Sequence, residues 1–146
     1  MEQRKEDIGT KADLSLHRLQ TAKDAWKAAK ILFAAEEYKG SNDRAYYAIF
    51  HAVNAVHALE GMGYKRHKDA IANFNKEYVK TEIFPRAMGR KIGEVEEIRH
   101  ASDYDDFYIA CKEETERQVI VADEFIHMVE EYIRSKIEEK WIVFLA

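Results

Sequence analysis

Apolar side chains return every three or four positions along most of this 146-residue chain, which is the spacing of helices with one buried face. The first such stretch predicts a helix from about Asp13 to Tyr38. The segment KGSND at 39–43 then interrupts the pattern. Gly40 suits the position after a helix end, and the three polar residues after it suit a cap on the next helix.

The second predicted helix ends near Leu59, before the glycines at 61 and 63, and has two apolar sectors. With about 100° between successive residues, one sector contains the small residues Ala45, Ala48 and Ala52. The other sector contains Tyr46, Phe50 and Val53. Two apolar sectors predict a central helix, or one that also forms a subunit contact.

Three further helices follow in the pattern. The third is predicted from about Lys68, Pro85 has the position of a first turn in the fourth, and the fifth is predicted from about Lys112 to Lys140. The predicted buried positions are Ile71, Phe74, Tyr78, Met88, Ile92, Val95, Ile98, Val119, Ala122, Ile126, Val129 and Ile133. The chain ends in the apolar tail WIVFLA, 141–146, which we expect to pack on the bundle or on a second subunit.

Together these elements predict an all-α fold, an up-and-down bundle of about five helices. We expect a single domain over 1–146, with its core at about 13–140. One proline and six glycines are few for the many turns that a β-sandwich or barrel requires. A lone cysteine, no signal-like N-terminus and no run of about 18 apolar residues predict a cytoplasmic protein without membrane contact.

A polar stripe interrupts the second helix. Arg44, Tyr47, His51 and Asn54 are spaced three, four and three apart, so they lie on one side of a helix. Two interpretations stay open. The stripe is either a seam that satisfies buried neighbours, or one wall of a groove for a ligand or RNA, in which His51 has a catalytic role. Because the net charge is −4, attraction to RNA has to be local.

The end of the fourth helix, RHASDYDDFY, is a second candidate site. Arg99 and Asp103 are one helical turn apart, which predicts an ion pair that fixes the helix end. The link KRHK at 65–68 supplies local positive charge, and we expect its His67 to be solvated. No metal site is predicted, because no His-x3-His or Glu-x2-His pair faces the acids of this segment.

Four segments together resemble the HEPN domain, in particular its short stand-alone prokaryotic branch: NDRAYYAIFHAVNAV, GYKRHKDAIANFNKEYVKTEIFP, IRHASDYDDF and the Glu-rich start of the last helix. The resemblance covers roughly 14–135. It implies a four- or five-helix bundle that dimerises. In many members it implies a metal-independent ribonuclease, often a toxin paired with a minimal nucleotidyltransferase antitoxin. Other members bind nucleotide or RNA without catalysis.

One departure from the family pattern affects the chemistry. The family signature is an arginine followed four to six residues later by a histidine, whereas here Tyr104 follows Arg99. Histidine transfers protons near neutral pH, while tyrosine, with an ordinary pKa of about 10, is a poor base. His51 and His100 are therefore candidates for proton transfer. The resemblance implies that Tyr104 orients a phosphate or accepts a nucleotide from the antitoxin.

The sequence thus leads to two hypotheses. In the first, the protein is a toxin-like, metal-independent endoribonuclease without a cofactor, controlled by a nucleotidyltransferase antitoxin. Its catalytic residues are Arg99, Tyr104, His51 and His100, and its ligand-binding residues are Arg44, Tyr47, Asn54 and Asp103. In the second, the same fold is a non-catalytic nucleotide-binding or protein-interaction module, so whether the protein is an enzyme stays open. Both hypotheses include a homodimer, and a scaffold whose only activity is oligomerisation is a third possibility.

Overall fold

The computed structural model describes residues 5–145. These residues form five α-helices and contain no β-strand. In chain order the helices are α1 (Lys5–Ala34), α2 (Tyr38–Leu59), α3 (His67–Phe74), α4 (Arg86–Tyr104) and α5 (Lys112–Leu145). A single π-helical turn, Asn75–Val79, continues α3. The predicted all-α bundle is confirmed.

Helix α2 lies at the centre of the bundle and packs against all four other α-helices. Its small residues Ala45, Ala48 and Ala52 have no exposed surface, so neighbouring backbones approach closely there. On the other sector Tyr46 and Phe50 are also buried. Burying each large apolar side chain stabilises the fold by roughly 1.5–3 kcal/mol. The central helix predicted from two apolar sectors is confirmed.

The first interhelical break lies earlier than the sequence pattern predicts. Helix α1 ends at Ala34 and α2 begins at Tyr38, so KGSND lies inside α2. Glu36 turns the chain with a φ of 62°. Ser41 does not cap a helix, because its hydroxyl donates to the carbonyl of Ala29 at 2.7 Å. The predicted break was wrong because these small polar residues serve close packing of α2 on α1.

Helix α2 ends at the predicted residue, in a Schellman motif. The N–H of Met62 donates to the carbonyl of His57 at 3.0 Å, and that of Gly61 donates to Ala58 at 3.0 Å. Gly61 has a φ of 70°, the left-handed conformation that this motif requires and that glycine adopts without strain. Pro85 precedes α4 as its N-cap, one position before the predicted first turn.

The predicted core positions are buried, apart from Ile98 and Val119, which are half-buried. Helix α5 continues through Leu145, beyond its predicted end. Ile142, Val143 and Leu145 are 60%, 72% and 78% exposed, so these three side chains do not pack on the bundle, and the alternative of packing on a second subunit stays a prediction. The side chain of Phe144 and the whole of Ala146 lie outside the described residues. Within 5–145, no helix combines the length and apolar character that a membrane span requires.

Candidate functional site

Arg99, near the end of α4, reaches across to the central helix. Its Nη2 donates to the hydroxyl of Tyr47 at 3.1 Å. Its Cζ lies 4.3 Å from the ring centroid of Tyr46 and 5.0 Å from that of Tyr47. A guanidinium held on aromatic faces gains from about 0.5 kcal/mol when exposed to about 2 kcal/mol when desolvated. The end of α4 and the polar stripe of α2 therefore meet at Arg99.

The ion pair predicted at the end of α4 is present. Arg99 Nε lies 3.5 Å from Asp103 Oδ2, and both side chains are about one-third exposed or less. A pair in this setting contributes at most about 1 kcal/mol. A guanidinium has five N–H donors, so a phosphate that displaces Asp103 finds free donors on the same group.

Tyr47 joins the stripe to Arg99. Arg44 Cζ lies 5.0 Å from the Tyr47 ring centroid, and the His51 ring stacks against Tyr47 with 6.2 Å between centroids. Tyr47 therefore contacts two guanidinium groups and the imidazole of His51, and a second imidazole, that of His67, meets its ring edge-on. The structure brings together four of the predicted residues here: Arg44, Tyr47, His51 and Arg99.

The imidazole of His51 is held in a setting that disfavours its protonation. Burial lowers its pKa, and electrostatic repulsion from Arg18, from His67 when that ring is protonated, and from Arg44 lowers it further, in that order. The neutral ring that results is the form that accepts a proton. His51 thus has the protonation state of a general base at neutral pH.

His67 belongs to this site, although the sequence pattern predicted a solvated residue. It opens α3, its ring stacks on Phe50 with 3.7 Å between centroids, and its Nδ1 lies 3.2 Å from the Tyr46 hydroxyl. It also meets the Tyr47 ring edge-on at 5.9 Å. Burial and the charge of Arg99 lower its pKa. The prediction was wrong because the KRHK link folds back onto α2.

We call these five residues the Arg99 cluster: Arg99, Tyr46, Tyr47, His51 and His67. A polar cavity of about 240 Å³ opens beside it, lined by Tyr46, Lys68, Glu96, Arg99, His100, Asp103 and Tyr104. Burial and the charge of Glu97 raise the pKa of Glu96. Burial and the charge of Asp103 raise the pKa of Asp43. Besides Asp103, which pairs with Arg99, two further acidic groups thus lie near the arginine: Glu96 lines the same cavity, and Asp43 is within reach of the Arg99 charge.

Three predicted residues lie away from the centre of the cluster. His100 and Tyr104 contact each other, with 4.7 Å between ring centroids, on the rim of the cavity. Tyr104 is 76% exposed. Asn54 lines a different cavity, with Lys11 and Arg18, so the stripe of α2 is divided between two sites.

Among the described residues, no group of three or more His, Cys, Asp or Glu side chains is arranged to hold a metal ion. The groups able to transfer protons or stabilise charge in the Arg99 cluster are side chains of the protein itself. Its chemistry is that of arginine, tyrosine and neutral histidine.

The fold and this cluster define an all-α bundle protein whose surface site combines arginine, tyrosine and histidine from three helices. The model of the HEPN domain matches residues 16–132, which include both the α2 stripe and the end of α4. The chain belongs to the HEPN domain family.

Curated relatives resemble this chain over most of its length. A "UPF0332 protein" of Thermotoga maritima is 28% identical over 114 residues, which cover 78% of this chain and 86% of the relative. Two proteins of Methanocaldococcus jannaschii are named "Putative toxin MJ0142" and "Putative toxin MJ0605". The first is 27% identical over 118 residues (81% and 80% of the two chains) and the second is 28% identical over 117 (80% and 87%).

Proposed function

We propose that the protein is a toxin-like, metal-independent endoribonuclease whose cleavage site is the Arg99 cluster. The observation that carries this proposal is the position of Arg99, which bonds to Tyr47 at 3.1 Å while His51 and His67 contact the same tyrosine ring. A cation for phosphate and neutral imidazoles for proton transfer thus share one small surface. The family and its toxin-named relatives support the same conclusion.

The reaction needs only these groups. The ribose 2′-oxygen attacks the adjacent phosphorus and loses its proton to a neutral imidazole. The bond from phosphorus to the 5′-oxygen breaks, and that oxygen takes up a proton, which leaves a 2′,3′-cyclic phosphate and a 5′-hydroxyl. Arg99 stabilises the charge that builds on the phosphate oxygens. His67 and His51 flank Tyr47, so they are better placed for proton transfer than His100 on the rim.

Tyr104 has the exposure of a modification site rather than that of a buried catalytic group. Its ring is 76% exposed and lies at the rim of the cavity that Arg99 lines. A nucleotidyltransferase partner that transfers a nucleotide from a nucleoside triphosphate to its hydroxyl, with loss of the hydroxyl proton and release of pyrophosphate, would place a phosphodiester anion at the rim of the cavity that Arg99 lines. That anion would compete with RNA for the guanidinium, which gives the antitoxin a physical means of control.

Cleavage of RNA in EDTA tests the proposal. We expect the wild-type protein to cut RNA to cyclic-phosphate ends, and Arg99→Ala to slow cleavage by about 10²–10³-fold, as for removal of an oxyanion-stabilising donor. Arg90→Ala is the matched control, because Arg90 is exposed on the same helix. Absence of cleavage by the wild type, or equal loss in both variants, would contradict the proposal.

A non-catalytic nucleotide-binding module is the second candidate, and two observations favour it. Asp103 is paired with Arg99, and Tyr104 stands where the family has its histidine. Calorimetry with nucleotides separates the two functions. Binding heat that is lost in Tyr47→Ala, from a protein that leaves RNA intact, would establish the module.

We also propose that the protein forms a homodimer. Ile142, Val143 and Leu145 form an exposed apolar end of α5, and burying them in a homodimer would remove this surface from water. Light scattering on the wild type and on Ile142→Ser/Val143→Ser measures this directly. A wild-type mass equal to that of one chain would contradict the homodimer.

A further inference from the structure

A second cavity, of about 280 Å³, lies at the opposite end of α2. Its polar lining includes Lys11 and Arg18 from α1 and Asn54 from α2, while Met62 and Tyr64 from the following loop form a less polar wall. We call it the Asn54 pocket. No acidic side chain lines it among the described residues.

The backbone of the α2–α3 loop shapes this pocket. Gly61 turns the chain in the left-handed conformation, with a φ of 70°, and directs the loop back toward α1. A Cβ atom at Gly61 would lie 3.2 Å from Lys11 Cε, so the lysine stem packs directly on the glycine. The pocket is therefore formed by contact of the loop with α1.

Electrostatics in the Asn54 pocket favour an anion. Lys11 and Arg18 contribute two full positive charges, whereas the C-terminal end of α2 contributes about half a negative charge. The carbonyls of His57 and Ala58 at that end already accept N–H groups from the loop. The remaining charge is positive, and a Lys–Arg pair with no acidic group among the described lining residues is a phosphate-binding arrangement.

The other lining groups fit a nucleotide unit. The Asn54 amide both donates and accepts hydrogen bonds, which suits a ribose hydroxyl or a base edge. Tyr64 offers a ring for stacking of a base. At about 280 Å³ the open cavity lies just below the range of about 300–1,000 Å³ that encloses small ligands. It therefore suits one unit of a longer chain better than a free molecule.

The Asn54 pocket and the Arg99 cluster are neighbours on α2, where Asn54 of the pocket lies one helical turn from His51 of the cluster. Arg18 of the pocket is close enough to His51 of the cluster to lower its pKa. Asn54 follows Tyr47, whose hydroxyl accepts from Arg99, by seven residues in the same helix, a distance of about 10 Å along the axis. A stacked strand rises about 3.4 Å per nucleotide, so roughly three nucleotides span this distance.

We propose that the Asn54 pocket binds a phosphate and base of a single-stranded RNA whose scissile phosphate lies at Arg99, about three nucleotides away. This inference rests on the proposed function for its substrate. It adds a binding site, and it gives the bound RNA a minimum length that the cleavage site alone does not require.

Fluorescence anisotropy tests this with RNA whose 2′-hydroxyls are methylated, so that cleavage does not interfere. The probes are single strands of about ten and about three nucleotides, with AMP and inorganic phosphate as competitors. We expect Lys11→Gln/Arg18→Gln to weaken binding of the longer RNA about tenfold. The slope of the logarithm of its binding constant against the logarithm of salt concentration should become shallower by about 1.4. The shorter RNA, seated at Arg99, should change by less than about twofold.

Two further variants control for charge and for folding. Lys27→Gln/Arg90→Gln removes the same charge from exposed positions and should leave both affinities within about twofold. Asn54→Asp adds a negative charge to the pocket while it leaves both cations in place, and it should weaken the longer RNA selectively. Circular dichroism melts check that each variant is folded.

Three results with Lys11→Gln/Arg18→Gln would overturn the proposal. The first is an unchanged affinity for the longer RNA, and the second is equal weakening of binding for both RNAs. The third is loss of AMP or phosphate binding alone, which would make the pocket a free-nucleotide site. No binding of the longer RNA by the wild type also overturns it. Failure of the proposed ribonuclease activity can be told apart from failure of the pocket. If the wild-type protein cuts no unmodified RNA but the pocket variant selectively loses affinity for the longer RNA, the pocket is supported and only the proposed cleavage is contradicted.

Discussion

The two ends of α2 hold their cations in opposite settings. Arg99 is paired with Asp103 at 3.5 Å and shares its cavity with Glu96, while Lys11 and Arg18 share theirs with no acidic group among the described lining residues. A balanced cation held on aromatic rings is fixed before a ligand arrives. An unbalanced pair attracts an anion from solution.

This difference in charge balance predicts different roles for the two sites on α2, one in the cleavage step and the other in RNA binding. The Arg99 cluster gains little long-range attraction for RNA, because neighbouring carboxylates cancel its charge. The Asn54 pocket gains attraction, but no histidine lines it. We therefore expect substitutions at the first site to change the cleavage rate more than binding, and substitutions at the second to change binding more than rate.

The largest expected effect is on the cleavage rate of His67→Gln. Loss of a general base lowers the rate by about 10²–10⁴-fold, and we expect a loss in this range with affinity for RNA nearly unchanged. His100→Gln is the control, because His100 is exposed on the rim. Single-turnover rates at saturating protein give the answer. An equal loss of RNA binding in His67→Gln would remove the separation between the two sites.

The same measurement on His51→Gln assigns the second histidine. The His51 ring stacks on Tyr47 within the same helix. If His67 is the general base, we expect His51→Gln to lower the cleavage rate less than His67→Gln does. A larger loss in His51→Gln would exchange the two roles. Full activity in both variants would rule out histidine-based cleavage at this cluster.

Next in size is the effect of Gly61→Ala on stability. An alanine at a φ of 70° costs about 1–2 kcal/mol, and its Cβ would also press on the Lys11 stem at 3.2 Å. Gly63→Ala is the matched control, since a Cβ there meets nothing within 4 Å. Thermal melts compare the two variants. Equal stability would show that the loop does not hold the Asn54 pocket in shape.

Much of the fold could be predicted from the sequence because burial sets the spacing of apolar residues. Ala45 and Ala48 of α2 and Met88 and Ile92 of α4 are buried as their spacing required. The first break was misplaced at KGSND because periodicity does not show which small polar residues face a neighbouring helix. Ser41 bonds to the α1 backbone across that contact.

The site was only partly predictable, for a related reason. Spacing within α2 indicated that Arg44, Tyr47 and His51 share a face, and the geometry brings Arg99 to them. His67 gave no such signal, because its place depends on a loop that returns to α2. The nearest clue was the aromatic pair Tyr46 and Phe50, one turn apart, whose rings are the surfaces that His67 contacts.

Proton titration sharpens the difference between the cluster and the bundle surface. The pKa values of His51 and His67 are lowered, chiefly by burial. That of His127, on α5, is raised by its hydrogen bond to the Asp123 carbonyl and by the Asp123 carboxylate. In NMR titrations we expect His127 to protonate first as pH falls. Arg99→Ala should move only the His67 midpoint upward, because Arg99 is a cause there and not at His51.

The same pKa shifts determine whether the stability of the fold rises or falls with pH. A histidine whose folded pKa lies below its ordinary value of about 6.5 takes up its proton more readily in the unfolded chain. Stability is therefore lost as pH falls from about 6.5 toward the lowered pKa of His51 and His67. Urea unfolding at stepwise pH measures this loss, and His67→Gln should reduce it. A stability that rises over this interval would contradict the burial of both rings.

The smallest expected effect comes from Asp103→Asn, which keeps an acceptor oxygen and removes one charge. A partly exposed pair contributes at most about 1 kcal/mol, so the melting temperature should change little. Without its counter-charge, Arg99 should hold RNA a few-fold more tightly, since phosphate no longer displaces a carboxylate. Asp105→Asn, exposed in the next turn of the chain, is the control. Weaker binding in Asp103→Asn would mean that Asp103 positions Arg99 rather than competing with the ligand, and the balanced setting of Arg99 would then be a requirement for binding.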